Sequence, residues 1–222
     1  MMSRSIPWSL FTAFVVSAAA CASTRTTVIS IQDIDCVSCA DGIVKELQPV
    51  PGVKKVTFNR QTAEFSVVHD ADGVTPEALL AKAAEVGWPV ALGGGQGRYA
   101  PQHVFPKDAD VRWVSRGERV ELASLAEAGH VTVVDFGAAW CRPCRAADKA
   151  LSAWLTDVPG LRIRKIDILD WDSAVAQQHL ADVKQLPYFV VFGKDGREIG
   201  RLDGFTEAGL RGLIDRATAG TP

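Results

Sequence analysis

Methionine is nearly missing from this chain. Its 222 residues hold two, Met1 and Met2, too few for a thioether-rich copper site. Long basic runs are missing as well. The 24 Lys and Arg against 26 Asp and Glu leave a net charge of −2, which argues against nucleic-acid binding by phosphate neutralisation. There is no glycine-rich phosphate loop and no serine triad, and the four histidines (His69, His103, His130 and His179) are scattered. What is present is 47% hydrophobic and 23% charged residues, the composition of a folded soluble protein with room for one large or two small domains.

Cysteine carries the information. Cys21 stands alone, and the other four form two Cys-x-x-Cys pairs, Cys36/Cys39 and Cys141/Cys144. Arg4 followed by the apolar and small residues Trp8 to Ala20 predicts a secretory signal over residues 1–22. Pro7 and the Ser/Thr content weaken the competing reading, an uncleaved membrane-spanning anchor. Ala18-Ala19-Ala20-Cys21 resembles a bacterial lipoprotein cleavage box with Cys21 lipidated, although Ala18 stands where Leu is usual. An ordinary peptidase cut at an overlapping Ala-x-Ala sequence is the alternative. Either cut places the mature chain outside the cytoplasm, in a bacterial periplasm or anchored facing it.

Gly93-Gly94-Gly95-Gln96-Gly97 interrupts the periodic sequence, so residues 93–103 are expected to form a flexible linker between two domains, 26–92 and 104–218. About eleven residues of such a tether span roughly 18–20 Å. In the first domain Thr27–Ile31, Val53–Asn59, Thr62–Val68 and Pro89–Leu92 read as strands. Ser38–Leu47 and a stretch from Thr75-Pro76 to Val86 read as helices, the second opened by a cap and a proline. The order βαββαβ predicts a ferredoxin-like sheet with helices on one face.

Asp33-Ile34-Asp35-Cys36-Val37-Ser38-Cys39, Pro51-Gly52-Val53 and Gly87-Trp88-Pro89 together resemble the heavy-metal-associated domain of metal chaperones and periplasmic mercury-binding proteins. The resemblance departs at Ile34, where Met is usual, and at Trp88, where Tyr or Phe is usual; both keep apolar cover. It implies that Cys36 and Cys39 bind a soft or borderline metal ion from the start of a helix, where deprotonated sulfur is favoured. Asp35 resembles the carboxylate of members that take zinc, cadmium or lead. Without it, two thiolates suit Cu(I) or Hg(II); Zn(II) ordinarily wants four ligands. A bare disulfide at Cys36 and Cys39 is the competing reading.

In the second domain Val131–Phe136 is an apolar run interrupted by Asp135 and reads as a buried central strand. Strands are also expected at Val111–Val114, Leu161–Ile166, Pro187–Phe192 and Glu198–Leu202. Helices are expected over Val120–Ala128, from Cys141 to about Thr156, over Ser173–Leu180 and over Glu207–Ala217. Trp140-Cys141-Arg142-Pro143-Cys144 with a later Leu186-Pro187-Tyr188 resembles thioredoxin across 104–218, a mixed sheet flanked by helices. The resemblance implies that Cys141 is an exposed nucleophilic thiolate and Cys144 the resolving thiol. It makes Asp135 a buried proton-transfer carboxylate, Lys165 that carboxylate's partner and Pro187 a cis-proline beside the substrate. Arg142 replaces the usual glycine and Tyr188 the usual threonine.

The whole reads as an extracytoplasmic protein thiol–disulfide oxidoreductase, with no organic cofactor, acting in the reducing direction. It is expected to keep the thiols of its own metal-binding domain, or of a partner metalloprotein, reduced. Its electrons are expected from a membrane thiol–disulfide carrier, and contact with the membrane itself only through a lipid or signal anchor. The reverse reaction, introducing disulfides, is left open by Arg142-Pro143. In another class stands a metal chaperone whose second half serves only as a recognition module.

Overall fold

The computed structural model describes residues 23–220; the expected signal, and Cys21 with it, lie outside the described residues. Strands β1 (Thr24–Ile31), β2 (Val53–Asn59), β3 (Glu64–Asp70) and β4 (Val90–Leu92) form an antiparallel sheet in the order β2-β3-β1-β4. Helices α1 (Cys39–Leu47) and α2 (Pro76–Ala84) follow the first and third of these strands, the ferredoxin-like order expected. Ile43 and Leu47 of α1 and Leu79 and Ala83 of α2 are buried in one core with Ile29, Ile31, Phe65 and Val67 of the sheet. Ile34, in place of the usual Met, is fully buried in that core, and Trp88 packs on it half-buried. Thr75 caps α2 by accepting from the Ala78 N–H, with Pro76 opening the helix.

The glycine-rich segment is not a free tether. The Gly93 N–H donates to the Val28 carbonyl at 2.8 Å and the Ser30 hydroxyl to the Gly93 carbonyl at 2.6 Å. Further on, the Arg98 and Ala100 N–H groups bond to the carbonyls of Ile31 and Ile34 at 3.0 and 2.9 Å. The Arg98 guanidinium grips both carboxylate oxygens of Asp33 at 2.9 and 3.0 Å. Gly97 runs so close to the chain that a Cβ there would collide with the carbonyls of Thr62 and Ala63. Glycine serves close approach here rather than freedom. The segment is an arm laid along the first domain, and Tyr99 joins that domain's core.

The second domain has strands β5 (Val111–Arg116), β6 (Val131–Gly137), β7 (Leu161–Asp167), β8 (Tyr188–Phe192) and β9 (Glu198–Asp203), ordered β5-β7-β6-β8-β9. β5, β7 and β6 run parallel, and β8 and β9 join antiparallel. Every residue of β6 is buried. Val131 and Val133 face α3 (Arg142–Asp157) and α5 (Glu207–Ala219), whereas Val134 and Phe136 face α4 (Ala174–His179). The expected helix over Val120–Ala128 is instead a 3-10 turn, Leu122–Leu125. Ala126 is already extended, and one turn suffices to bury Leu122 and bring Leu125 against the core. No helix among the described residues is long and apolar enough to cross a membrane.

Candidate active site and metal loop

Strand β6 ends at Gly137 and the chain turns through Ala138 to Trp140 into α3. Cys141 is the N-cap of that helix: it is extended, and its sulfur accepts the Cys144 N–H at 3.2 Å. Pro143 in the first turn fixes the backbone for helix entry at the cost of no needed donor. The two cysteines form a disulfide, as do Cys36 and Cys39. In the reduced chain the same N–H, with the unpaired amides of the helix start, supports negative charge on Cys141 sulfur. Cys144 sulfur lies against Gly137, where a Cβ would stand 3.4 Å away.

Cys141 is 4% exposed and Cys144 5%, so the expectation of an exposed nucleophile is corrected. Cys141 belongs to the core cluster that contains Ala138, Leu186 and Tyr188, with Trp140 packed against it. The peptide bond before Pro187 is cis, and the chain there leads directly into β8.

Asp135 and Gly137 alternate onto the same face of β6, the α3 face, so the Asp135 carboxylate and the Cys144 sulfur share it. Lys165 is Asp135's direct partner across the β6–β7 pairing. Its ammonium lies 2.6 Å from Asp135 Oδ2 and also pairs with Asp148 of α3. All three side chains are buried. Burial would lower the Lys165 pKa, but the two carboxylates outweigh it and raise it. Burial is also the largest influence on Asp148, raising its pKa to about 6 against the attraction of Lys165 and with the repulsion of Asp135. Asp135 Oδ1 is buried with no hydrogen-bond partner among the described residues. Asp148 was missed in the sequence. Its signal was spacing: with Cys144, Ala147 and Leu151 it falls on the buried stripe of α3.

The first domain presents a second site. Cys36 sulfur accepts the Cys39 N–H at 3.2 Å and the Ser38 hydroxyl at 3.4 Å. Asp35 Oδ1 lies 3.5 Å from Cys39 sulfur. The carboxylate and both sulfurs stand within 4.8 Å of one another, a donor set that, once reduced, fits a soft or borderline cation. The expected metal residues Asp35, Cys36 and Cys39 are thus brought together. The histidines are not: His69 is buried against Thr27, and His179 bonds to the Val120 carbonyl.

The two sites adjoin. Asp35 Oδ2 is 3.5 Å from Arg142 Nε, and the Arg145 guanidinium donates to the Asp35 carbonyl at 2.7 Å. On the β2–β3 turn Arg60 reaches Asp170 at 3.5 Å and lies over the Trp140 ring, 5.8 Å from its centroid. Neither Arg145 nor Arg60 was singled out from sequence, because their partners lie 110 positions away.

A central sheet of this order, with a helix-capping Cys-x-x-Cys, a cis-proline and a buried carboxylate, defines a protein-disulfide oxidoreductase. Residues 121–216 match the thioredoxin family, and residues 28–87 match the heavy-metal-associated domain. Thioredoxin H-type from Oryza sativa subsp. indica is 31% identical over 101 residues, which cover 46% of this chain and 80% of that protein. Thioredoxin from Echinococcus granulosus is 35% identical over 98 residues, 44% of this chain and 86% of that one. Among solved structures, oxidized MerP from Ralstonia metallidurans CH34 is 26% identical with a TM-score of 0.30, covering 32% of this chain and 97% of that one. The chain belongs to the thioredoxin family, with a heavy-metal-associated domain preceding the thioredoxin fold.

Proposed function

We propose that this protein is an extracytoplasmic reductase that keeps a metal-binding Cys-x-x-Cys pair, its own Cys36 and Cys39 or that of a partner metalloprotein, in the thiol form. The observation that carries this is Asp35, one carboxylate lying between Cys39 sulfur on one side and Arg142, next to Cys141, on the other. An oxidised pair cannot hold a metal, so a reductant on the same chain has an evident use. Cys141 thiolate attacks the disulfide, and one sulfur leaves as thiolate and is protonated by solvent. The Cys144 proton passes to Asp135, whose Oδ1 has no hydrogen-bond partner among the described residues. Cys144 sulfur then bonds to Cys141 sulfur, the mixed disulfide breaks, and the second substrate sulfur leaves as thiolate and takes a proton from solvent. Two electrons move from Cys141/Cys144 to the metal pair, and both of its sulfurs end as thiols. A dithiol donor at the membrane then restores Cys141/Cys144. The reduced loop offers two thiolates and a carboxylate to its metal cargo, which supplies no step of the exchange.

Replacing Cys144 with Ser removes the resolving sulfur, so the variant is expected to accumulate a mixed disulfide from Cys141 to the Cys36/Cys39 loop, visible by peptide mass mapping. The absence of any adduct with that loop or with another metal site would contradict the reading.

A further inference from the structure

The neighbours of Cys36 and Cys39 differ, and the difference bears on how the disulfide opens. Cys36 sulfur receives two donors, the Cys39 N–H at 3.2 Å and the Ser38 hydroxyl at 3.4 Å. Those donors stabilise negative charge, which makes Cys36 the better leaving group. Cys39 sulfur is the one beside Asp35, 3.5 Å from Oδ1, and Asp35 is the residue that the active-site helix holds. A bare carboxylate beside Cys39 would repel an incoming thiolate. Arg142, 3.5 Å from Oδ2, offsets that charge.

A second contact fixes the orientation. Arg60 pairs with Asp170 and covers Trp140, whose indole N–H is tied to the Leu169 carbonyl at 2.7 Å. The thioredoxin face therefore offers an arginine pair on one side and an acid with an aromatic ring on the other. The metal domain answers with an acid and an arginine.

Resting on the reductase reading above, we propose that Asp35 is the residue by which the thioredoxin domain recognises its substrate loop, presenting Cys39 to Cys141 with Cys36 as the leaving thiolate. The substrate class follows: Cys-x-x-Cys disulfides preceded directly by a carboxylate, as on this chain or a second copy of it. In the step, Cys141 sulfur bonds to Cys39 sulfur, the Cys36–Cys39 bond breaks, and Cys36 leaves with the electron pair. Arg142 and Arg145 are positioning residues.

The full chain carrying Cys144→Ser tests this. It is prepared with Cys36–Cys39 oxidised and Cys141 as thiol, and quenched with N-ethylmaleimide, which blocks the freed thiol and locks the adduct. Mass mapping is expected to find Cys141 joined to Cys39 and the label on Cys36. Adding Asp35→Asn should slow adduct formation about threefold to fivefold, the size of one exposed ion pair, and Asp35→Arg by more than about tenfold. Each rate is divided by that of Cys141 with a small aromatic disulfide in the same sample, which removes changes in intrinsic reactivity. Arg60→Asp and Asp170→Arg should each slow the adduct, and together restore it, which loss of folding would not do. An adduct at Cys36, or rates indifferent to all these charges, would overturn the recognition proposal and leave the reductase reading standing. No adduct with the chain's own loop even with Asp35 intact would overturn the recognition proposal, and no adduct with an added metal-site Cys-x-x-Cys disulfide either would overturn the reductase reading as well.

Discussion

Asp148 is the residue whose ionisation is most exposed to test. Its carboxyl is raised from 3.8 to about 6, chiefly by burial, so the folded chain retains a proton there that the unfolded chain releases above pH 4. This contribution is fully present below pH 4 and is lost as pH rises through about 6, on the order of 2–3 kcal/mol. Asp148→Asn abolishes it. Urea unfolding between pH 4 and 7 should therefore show the variant gaining on the parent as pH rises, and parallel curves would refute the assignment. The same comparison should shift the pH profile of insulin reduction, since Lys165 would be left with Asp135 alone. Asp135 was legible in the sequence because a lone carboxylate in a β-strand run of apolar residues needs a reason. Lys165, an ordinary strand residue by its neighbours, gained its meaning only from the parallel pairing that sets it opposite Asp135. Asp148 was legible in principle from helical spacing, but a single acid on an apolar stripe is also what a partly exposed helix shows.

At the scale of elements, α3 sets the reactive cysteine. Its Ala147 and Leu151 are fully buried against β6 and β8 residues, and Leu151→Ala should cost about 2–5 kcal/mol of stability, measured by urea unfolding. Thr75→Ala removes the cap of α2 and should cost about 1 kcal/mol in the first domain only. Equal losses in both domains would show that they unfold as one unit. Strand and helix identities followed from periodicity and held at nearly every element, with ends displaced by a few residues. The two failures share a cause. Val120–Ala128 looked helical by the spacing of Leu122 and Leu125, yet one turn already buries Leu122 and brings Leu125 against the core. Residues 93–100 looked flexible by composition, yet their backbone donors and acceptors find partners on β1 and at Ile34. In both, the deciding partners are far away in sequence.

At the scale of the molecule, two Cys-x-x-Cys sites that the sequence placed on separate domains share one carboxylate contact, through Asp35. Sequence reasoning expected the two pairs to meet across a flexible tether, but not the contacts between them, which rest on Arg60, Arg142 and Arg145 finding partners across the domains. Metal capture should follow the redox state: fully reduced chain is expected to bind one Hg(II) or Cd(II) through Cys36 and Cys39, and oxidised chain none, as equilibrium dialysis would report. Removing Asp35 should weaken Cd(II) more than Hg(II), because a carboxylate adds more to the harder ion.

The most direct measurement gives fully oxidised chain one equivalent of a dithiol reductant and follows each cysteine pair by timed alkylation. Cys141/Cys144 should be reduced first and Cys36/Cys39 after it, with a rate independent of protein concentration and abolished by Cys141→Ser. Reduction of Cys36/Cys39 at an unchanged rate in that variant would contradict the account.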